Sequence, residues 1–173
     1  MQLIRCTAKL LKEIGLSPTG LQHTEPKFSF LGQWHANLIY IDRRKCVLFV
    51  NDRTLFNFIV PDARREQIRA LDEMFQSWLT SVLSAEGIPD DVISRILSEY
   101  DEIEFGKSSD RSVLGCANDI AFHYKYLVSE AGGVHSWMVP DIIRKMNRMP
   151  MHASKRQSMY PINELEKLYG IGV

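Results

Sequence analysis

The stretch that decides the fold is GQWHANLIYIDRRKCVLFVNDRTLFNFIV, residues 32–60. Three apolar runs within it are separated by two short polar segments, residues 42–45 and 51–53. The runs are rich in β-branched and aromatic residues, which favour strands. Asp and Asn in the polar segments favour turns, because their side chains hydrogen-bond to their own backbone. The stretch therefore predicts a three-stranded antiparallel meander with tight connections.

A short strand and a short helix are predicted before the meander. Residues 2–6 form an apolar run, and Thr7 is a suitable cap for a helix over Ala8–Ile14. Gly15 follows as a left-handed helix end. Residues 16–31 contain two prolines and several polar residues, and this composition is typical of a loop.

Helical periodicity dominates the chain after the meander. Apolar residues recur every three or four positions from Ile68 to Val82, which predicts an amphipathic helix capped by Asp62 and ending near Gly87. Further helices are predicted within residues 88–100, 108–133 and 136–149, with a helical turn or two in 160–170 and an edge strand at 102–105. The order predicts an α+β fold with a small, mostly antiparallel sheet: a meander of about three strands plus N-terminal and edge strands, packed with three to five helices.

The composition is that of one soluble domain spanning residues 1–173. The hydrophobic fraction is 45%, the charged fraction is 24% and the formal net charge is zero, so no global charge attracts nucleic acid or an anionic membrane. The three cysteines are far apart and form no CxxC, which favours a reducing compartment. No secretory leader pattern and no run of 18 apolar residues is present, so a cytoplasmic protein without membrane contact is expected.

Several segments of the chain resemble a family of small, uncharacterised bacterial proteins. They are IRCTAKLLKEIG near the start, LGQWHANLIYIDRRKCVLFVNDRTLFNFIV, and RSVLGCANDIAFHYKY, joined by a YP pair near the C-terminus. The most distinctive portion is WHANLIYIDRRK with VLFVND and TLF. Together the segments cover most of the chain. The resemblance implies a single bacterial domain of unknown function, and it implies no activity, cofactor or catalytic residue.

Two groups of residues are candidates for catalysis. His35 and Asn37 share one face of the first meander strand, where the histidine could act as a general base. Asn118, Asp119 and His123 lie in the predicted helix of residues 108–133. Under the enzyme hypothesis, His35 and His123 lie within about 10 Å of each other and flank one small ligand. The alternative for His35 and Asn37 is that they are polar positions on a half-exposed face.

The spacing along that helix limits what its residues can do. Ser112, Cys116, Asp119 and His123 lie along one face, but Cys116 and His123 are about 10 Å apart along the axis, which excludes a direct Cys–His pair. Asp119 and His123, one turn apart, could simply form a helix-stabilising pair. Asn118 and Asp119 are both poor helix formers in mid-helix, which suggests that they bond to something specific.

No cofactor or metal is expected. A metal site on the helix that carries Asp119 and His123 would need a third and a fourth ligand from elsewhere, for which His35 and His135 are candidates. The sequence contains no HExxH, no GxxxxGK[ST], no GxGxxG and no GxSxG. The usual nucleotide-binding and serine-hydrolase motifs are therefore missing.

Basic residues are candidates for binding. Arg43 and Arg44 at the hairpin tip could clamp a phosphate or carboxylate, although charges at hairpin tips usually serve solvation. Residues 142–173 form a basic, Met-rich C-terminal segment that could be extended or bind a partner; its basic candidates are Arg144, Lys145, Arg148, Lys155 and Arg156. Such a surface suits an adaptable protein partner, whereas few aromatic residues are present to stack on nucleic acid bases. The alternative is internal pairing with the acidic segment 86–104.

Two function classes follow. The favoured hypothesis is a small cytoplasmic interaction or regulatory domain, with a protein partner more plausible than a nucleic acid. It expects residues 142–159 to be exposed and the association to weaken with salt. The alternative is a small hydrolase or nuclease with a pocket of His, Asn and Asp side chains.

Overall fold

The computed structural model describes residues 1–19, 21, 27–108, 110–152 and 158–172. Within them, five strands and seven helices alternate irregularly along the chain. Their order is β1 (Gln2–Cys6), α1 (Ala8–Ile14), β2 (Trp34–Ile41), β3 (Arg44–Asn51), β4 (Asn57–Val60), α2 (Arg65–Arg69), α3 (Leu71–Ala85), α4 (Asp90–Ser98), β5 (Ile103–Lys107), α5 (Arg111–Glu130), α6 (Val139–Met146) and α7 (Pro161–Tyr169). The predicted α+β class is confirmed.

The strands form one sheet in the order β4-β3-β2-β1-β5. β2, β3 and β4 are the predicted meander, with antiparallel ladders from Trp34↔Asn51 to Ile41↔Arg44 and from Val47↔Val60 to Val50↔Asn57. β1 runs parallel to both β2 and β5, so the sheet is mixed at that side. Leu38, Val47 and Phe58 all lie in strands, as the predicted three-stranded meander requires.

An aromatic cluster occupies the face of the sheet covered by α3. Phe75 of α3 contacts the rings of Trp34, Phe49 and Phe58 at centroid distances of 5.2, 5.2 and 6.2 Å, and that of Tyr100 at 5.3 Å. All five side chains are fully buried. Large aromatic rings bury more apolar area than any other side chains, so this cluster is the centre of the hydrophobic core.

The opposite face of the sheet is covered in part by α5 and carries buried polar groups. Tyr124 of α5 donates its hydroxyl to Asn57 Oδ1 at 2.7 Å. Asn147, which caps the end of α6, accepts from the Asn57 backbone N–H at 2.9 Å and donates to the Asn57 carbonyl at 2.7 Å. One carboxamide thus takes the place of a further strand at the start of β4, and the buried polar groups satisfy one another.

Two predicted helix caps are wrong. Asp62 has a positive φ of 48° and does not cap a helix; α2 begins after Arg64, whose N–H donates to Gln67 Oε1. Thr7 precedes α1 but makes no side-chain cap, because its hydroxyl lies 3.2 Å from Asn37 Oδ1 and bonds there. The single amphipathic helix predicted after the meander is divided into α2 and α3 at Ala70, where ψ reaches 55°.

Candidate functional site

An apolar cavity of about 400 Å³ lies between α3 and α6; we call it the α3–α6 cavity. Its lining includes Trp78 and Val82 of α3, Val139 and Ile143 of α6, and Trp137 from the turn before α6. Trp78 is half-buried, and Trp137 is 81% exposed. Two indole rings therefore border an open apolar cavity, an arrangement typical of ligand sites.

The local sequence explains how the cavity forms. Gly132 and Gly133 have φ values of 104° and 100°, which side chains rarely adopt, and they let the chain reverse after α5. Pro140 lies in the first turn of α6, where its missing N–H removes no helical hydrogen bond. The chain thereby brings residues 134–137 to the mouth of the cavity, where Pro61 at the end of β4 also contributes.

An arginine at the rim of the cavity is only loosely held. Arg144 lines the cavity, and its Nε is 3.9 Å from Glu86 Oε2. The same oxygen has a closer cation, because Arg148 Nη2 lies 2.6 Å away, and Glu86 raises the pKa of the Arg148 guanidinium. The fully buried Glu86 carboxylate is thus paired more closely with Arg148 than with Arg144.

A histidine is a second polar group at the rim of the cavity. His135 lines the cavity, and its Nε2 lies 3.2 Å from Asp62 Oδ2. Arg44 Nη1 approaches the other oxygen of Asp62 at 3.6 Å. Asp62 is therefore shared by a histidine and an arginine, and Arg144 is the charged residue among those that line the cavity.

His35 belongs to a buried polar chain away from this cavity. Its Nδ1 lies 2.8 Å from Ser108 Oγ, and its Nε2 lies 3.2 Å from Asp52 Oδ1. Asp52 Oδ2 is in turn 3.6 Å from Arg5 Nη1. The His35 side chain is 3% exposed, and its contact with Asp52 is close in distance but poorly aligned for a hydrogen bond. This chain links β1, β2 and the β3–β4 turn to the segment before α5.

The other catalytic candidates are divided between two depressions. Asn37 and Asn118 line a groove beside β2, whereas Asp119 and His123 line a smaller depression that also includes Cys116 and the backbone region of His152. His35 is not among the lining residues of either one. Among the described residues no ion pair joins Asp119 to His123. The structure therefore brings Asn37 and Asn118 together, and Asp119 and His123 together, without uniting the five residues in one pocket.

The basic candidates have different environments. Arg43 and Lys145 are exposed, Arg44 pairs with Asp62, and Arg144 and Arg148 approach Glu86. Lys155 and Arg156 lie outside the described residues. Pairing with Glu86 is the internal match that the sequence offered as the alternative to a partner surface.

The expected exposure of residues 142–159 is wrong for much of the segment. Among the residues of this segment that the structure describes, 142–152 and 158–159, five are buried: Ile142, Ile143, Met146, Asn147 and Met151. Met151 also forms a backbone bridge with Met159. The hydrophobic side of α6 faces the core, so several of the methionines that suggested an adaptable surface are packing residues.

Comparison with protein families identifies the chain. Residues 3–164 match the family model described as a domain of unknown function, DUF6933. The chain belongs to the DUF6933 family. No curated protein and no solved structure matches this DUF6933 chain. In the described part of the chain, no helix has both the length and the hydropathy needed to cross a membrane. The same residues contain no group of three His, Cys, Asp or Glu side chains placed to hold a metal ion.

Sequence reasoning missed most of the residues that line the α3–α6 cavity of this DUF6933 protein. Trp78 belongs to the apolar stripe of α3 and was predicted to be core. Trp137 and His135 follow the paired glycines and carry no periodic signal. Ser108 and Asp52 were missed as partners of His35, because their contacts depend on the parallel pairing of β1 with β2 and β5. The available sequence signal for this site was a tryptophan that follows Gly-Gly and belongs to no apolar stripe.

Proposed function

We propose that this protein is a cytoplasmic regulatory domain that binds a small aromatic anion in the α3–α6 cavity. The cavity itself is the observation that carries the proposal, since its volume of about 400 Å³ lies in the range of small-molecule sites. The indole of Trp137 is too exposed to contribute much to the core, and beside an apolar cavity it is suited to cover a flat ligand.

The polar groups at the rim favour an anionic substituent on that ligand. Arg144 lines the cavity, and among the described residues its ion partner is the Glu86 carboxylate at 3.9 Å, a loose contact that would let the guanidinium bind a carboxylate of the ligand. His135 offers a second donor. A ligand ring stacked between Trp78 and Trp137, with its carboxylate towards Arg144, would contact both the apolar lining and the polar rim of the cavity.

Tryptophan fluorescence provides a direct test. The chain has three tryptophans, and Trp34 is fully buried, so ligand-dependent changes report mainly on Trp78 and Trp137. Titration with phenylacetate and 3-phenylpropanoate, which do not absorb at the 295 nm excitation wavelength of tryptophan, should quench or shift the emission, and the corresponding neutral amides should bind at least fivefold more weakly.

Two variants and one matched control complete this test. Arg144→Ala should weaken binding of the carboxylates about tenfold while leaving the amides unchanged, since a charge-assisted hydrogen bond contributes about 1.5 kcal/mol or more. Trp137→Ala should weaken both kinds of ligand. Lys145→Ala removes a neighbouring exposed cation that does not line the cavity, and it should have no effect. Equal losses in the Arg144 and Lys145 variants, or no response to any probe, would contradict the proposal.

A specific observation also favours the hydrolase alternative. Ser108 Oγ, His35 and Asp52 lie in the order nucleophile, base and carboxylate, with distances of 2.8 and 3.2 Å, and a small rotation of the imidazole would align the second contact as a hydrogen bond. With the imidazole proton on Nε2, facing Asp52, Nδ1 can accept the Ser108 proton. Ser108 Oγ would then attack an ester carbonyl, the alkoxide would leave with that proton, and water would release the acid and restore the serine.

The hydrolase alternative is tested with an ester and a covalent probe. The wild-type protein should hydrolyse p-nitrophenyl acetate, and a fluorophosphonate should add to Ser108, as located by peptide mass spectrometry. Ser108→Ala should abolish both signals. Ser94→Ala, at an exposed serine of α4, is the matched control and should change neither. Labelling that persists in the Ser108 variant would exclude this site without affecting the ligand-binding proposal.

A further inference from the structure

The second half of β2 has no strand beside it on the β1 side. β1 pairs with β2 only over Ile4↔Trp34, Arg5↔His35 and Cys6↔Ala36, and the chain then leaves the sheet to form α1. β2 continues to Ile41. Its residues after Ala36 therefore form an internal open edge within the sheet.

The backbone groups that point towards this edge can be identified from the register. The Ala36 carbonyl accepts from the Thr7 N–H at 3.1 Å, so the backbone groups of Ala36 point to the β1 side. Because strand directions alternate with a period of two, the N–H and C=O of Leu38 and Tyr40 point the same way. Neither residue makes a backbone hydrogen bond outside the regular elements of the described chain. Tyr40, which is 44% exposed, thus offers one donor and one acceptor to a further strand, while the corresponding groups of Leu38, a residue only 5% exposed, lie at the buried floor of the groove.

A groove runs along this edge; we call it the β2 groove. Its volume is about 630 Å³, its floor is formed by residues 37–40, and its walls are residues 7–9 and the exposed side of α5. The walls carry two exposed lysines, Lys9 and Lys125, and an aromatic ring, Phe122, that is 69% exposed. The groove therefore combines unpaired strand edge, positive charge and apolar surface.

The two outer strands of the sheet, β4 and β5, differ from this internal edge of β2. At β4, the Asn147 carboxamide occupies the N–H and C=O of Asn57. β5 is also an outer strand, but it carries two charged residues, Glu104 and Lys107, and charges on an edge strand discourage the addition of a further strand. Open backbone, like-charged lysines and exposed aromatic surface coincide at β2.

We propose that the β2 groove binds an extended, acidic peptide segment of another protein, which adds to β2 as a short strand. Four residues would span the floor, at about 3.3 Å per residue. Hydrogen bonds to Leu38 and Tyr40 supply affinity, as in other cases of strand addition. Acidic side chains pair with Lys9 and Lys125, and an apolar side chain between them contacts Phe122. This site is separate from the α3–α6 cavity and does not depend on it.

The test uses three fluorescein-labelled peptides and fluorescence anisotropy. The first has the sequence EVEYVE, the second is its basic counterpart KVKYVK, and the third is EVEYVE with alternate backbone nitrogens methylated. The first peptide should bind, and its affinity should fall with added salt. The other two should bind at least tenfold more weakly, because one has the wrong charge and the other lacks the backbone donors.

Variants of the protein separate backbone pairing from simple charge attraction. Tyr40→Pro removes an N–H that faces the groove without removing a β2–β3 hydrogen bond, as is tolerated at strand edges, and should weaken EVEYVE at least fivefold. The double change Lys9→Glu with Lys125→Glu should weaken it more than tenfold. Lys12→Glu changes an exposed lysine of α1 that does not line the groove, and should leave binding unchanged. Circular dichroism would confirm that each variant is folded.

Three outcomes would overturn the proposal. Equal binding of the methylated peptide would show charge attraction without strand addition. No binding of any peptide at millimolar concentration would exclude an acidic peptide as the occupant. A concentration-dependent dimer in sedimentation that Tyr40→Pro dissociates would assign the groove to a second copy of this chain.

Discussion

On the α3 face of the sheet, Phe75 closes an aromatic cluster in which every ring is buried. On the α5 face, the same strands carry Asn57 and His35, and the covering helix leaves Phe122 exposed and a groove open beside β2. The difference arises from the alternation of side chains along each strand, since neighbouring residues of β2 point to opposite faces. One face is specialised for stability, while the polar networks and the β2 groove lie on the other.

The largest effect should come from the aromatic face. Phe75→Ala removes a ring that contacts four other aromatic residues and should lower the free energy of unfolding by about 3–5 kcal/mol. Phe122→Ala is the matched change on α5 and should alter stability by less than about 0.5 kcal/mol. Urea denaturation measures the free energy of unfolding of both variants. A similar loss of stability in each would contradict the inferred difference between the two faces.

The next effect tests the polar network of the α5 face. Asn147→Leu leaves the N–H and C=O of Asn57 without their partners in a buried position, which should cost about 2–4 kcal/mol. Asn118→Ala changes an exposed amide on α5 and should cost less than about 0.5 kcal/mol. A neutral Asn147→Leu change would show that the Asn57 backbone finds other partners, and the α5 face would then depend less on polar pairing than we infer.

High pH should destabilise both faces through buried phenols. Burial raises the pKa of Tyr100 on the α3 face and of Tyr124 on the α5 face above the ordinary value of 10.0. The unfolded chain loses these protons near pH 10 while the folded chain retains them, so stability is constant below that pH and falls above it. The expected slope is about 1.4 kcal/mol per pH unit for each tyrosine.

Tyrosine variants separate the two contributions to this pH dependence. Between about pH 10 and 11, Tyr100→Phe and Tyr124→Phe should each reduce the pH dependence of the unfolding free energy by the contribution of the one phenol that is removed. Tyr40→Phe, at an exposed tyrosine, is the control and should leave the slope unchanged. A slope that survives both buried changes would assign the effect to other groups, such as the Cys6 thiol, whose pKa burial also raises.

Much of the fold could be predicted from the sequence, because local chemistry determines the meander. Asn51 shows why: its side chain accepts from the N–H groups of Arg53 and Thr54, two and three residues away, as expected of a turn residue. The parallel placement of β1 beside β2 could not be predicted in this way, because it depends on long-range pairing that leaves no local pattern. His35 therefore had a predictable strand but unpredictable partners, Ser108 and Asp52.

The candidate site was less predictable than the fold for the same physical reason. The α3–α6 cavity is lined by segments that are far apart in sequence, such as Trp78 and Trp137. Helical periodicity identified which residues of α3 are apolar, but it did not show that Trp78 lies at the edge of the core, beside a cavity. Grooves and cavities form where packing is incomplete, and a single sequence records packing only indirectly.

The smallest effect concerns the hairpin tip that joins β2 and β3. Asp42 and Arg43 form its two-residue turn with φ values of 46° and 67°, a conformation that costs about 1 kcal/mol in a residue with a side chain. Asp42 has a local role, since its carboxylate accepts from the Ser129 hydroxyl at 2.7 Å, whereas Arg43 is exposed. Arg43→Gly should therefore raise the free energy of unfolding by about 0.5–1 kcal/mol.

The neighbouring arginine is the control for this last prediction. Arg44 lies within β3, and glycine weakens the interior of a strand. Arg44→Gly should therefore lower the free energy of unfolding. If urea denaturation shows that Arg43→Gly also lowers stability, the Arg43 side chain makes a stabilising contact and needs no other role. If stability rises as expected, a strained and exposed arginine is present at a cost to the fold. The gain would then measure the cost of holding a residue with a side chain at this positive φ.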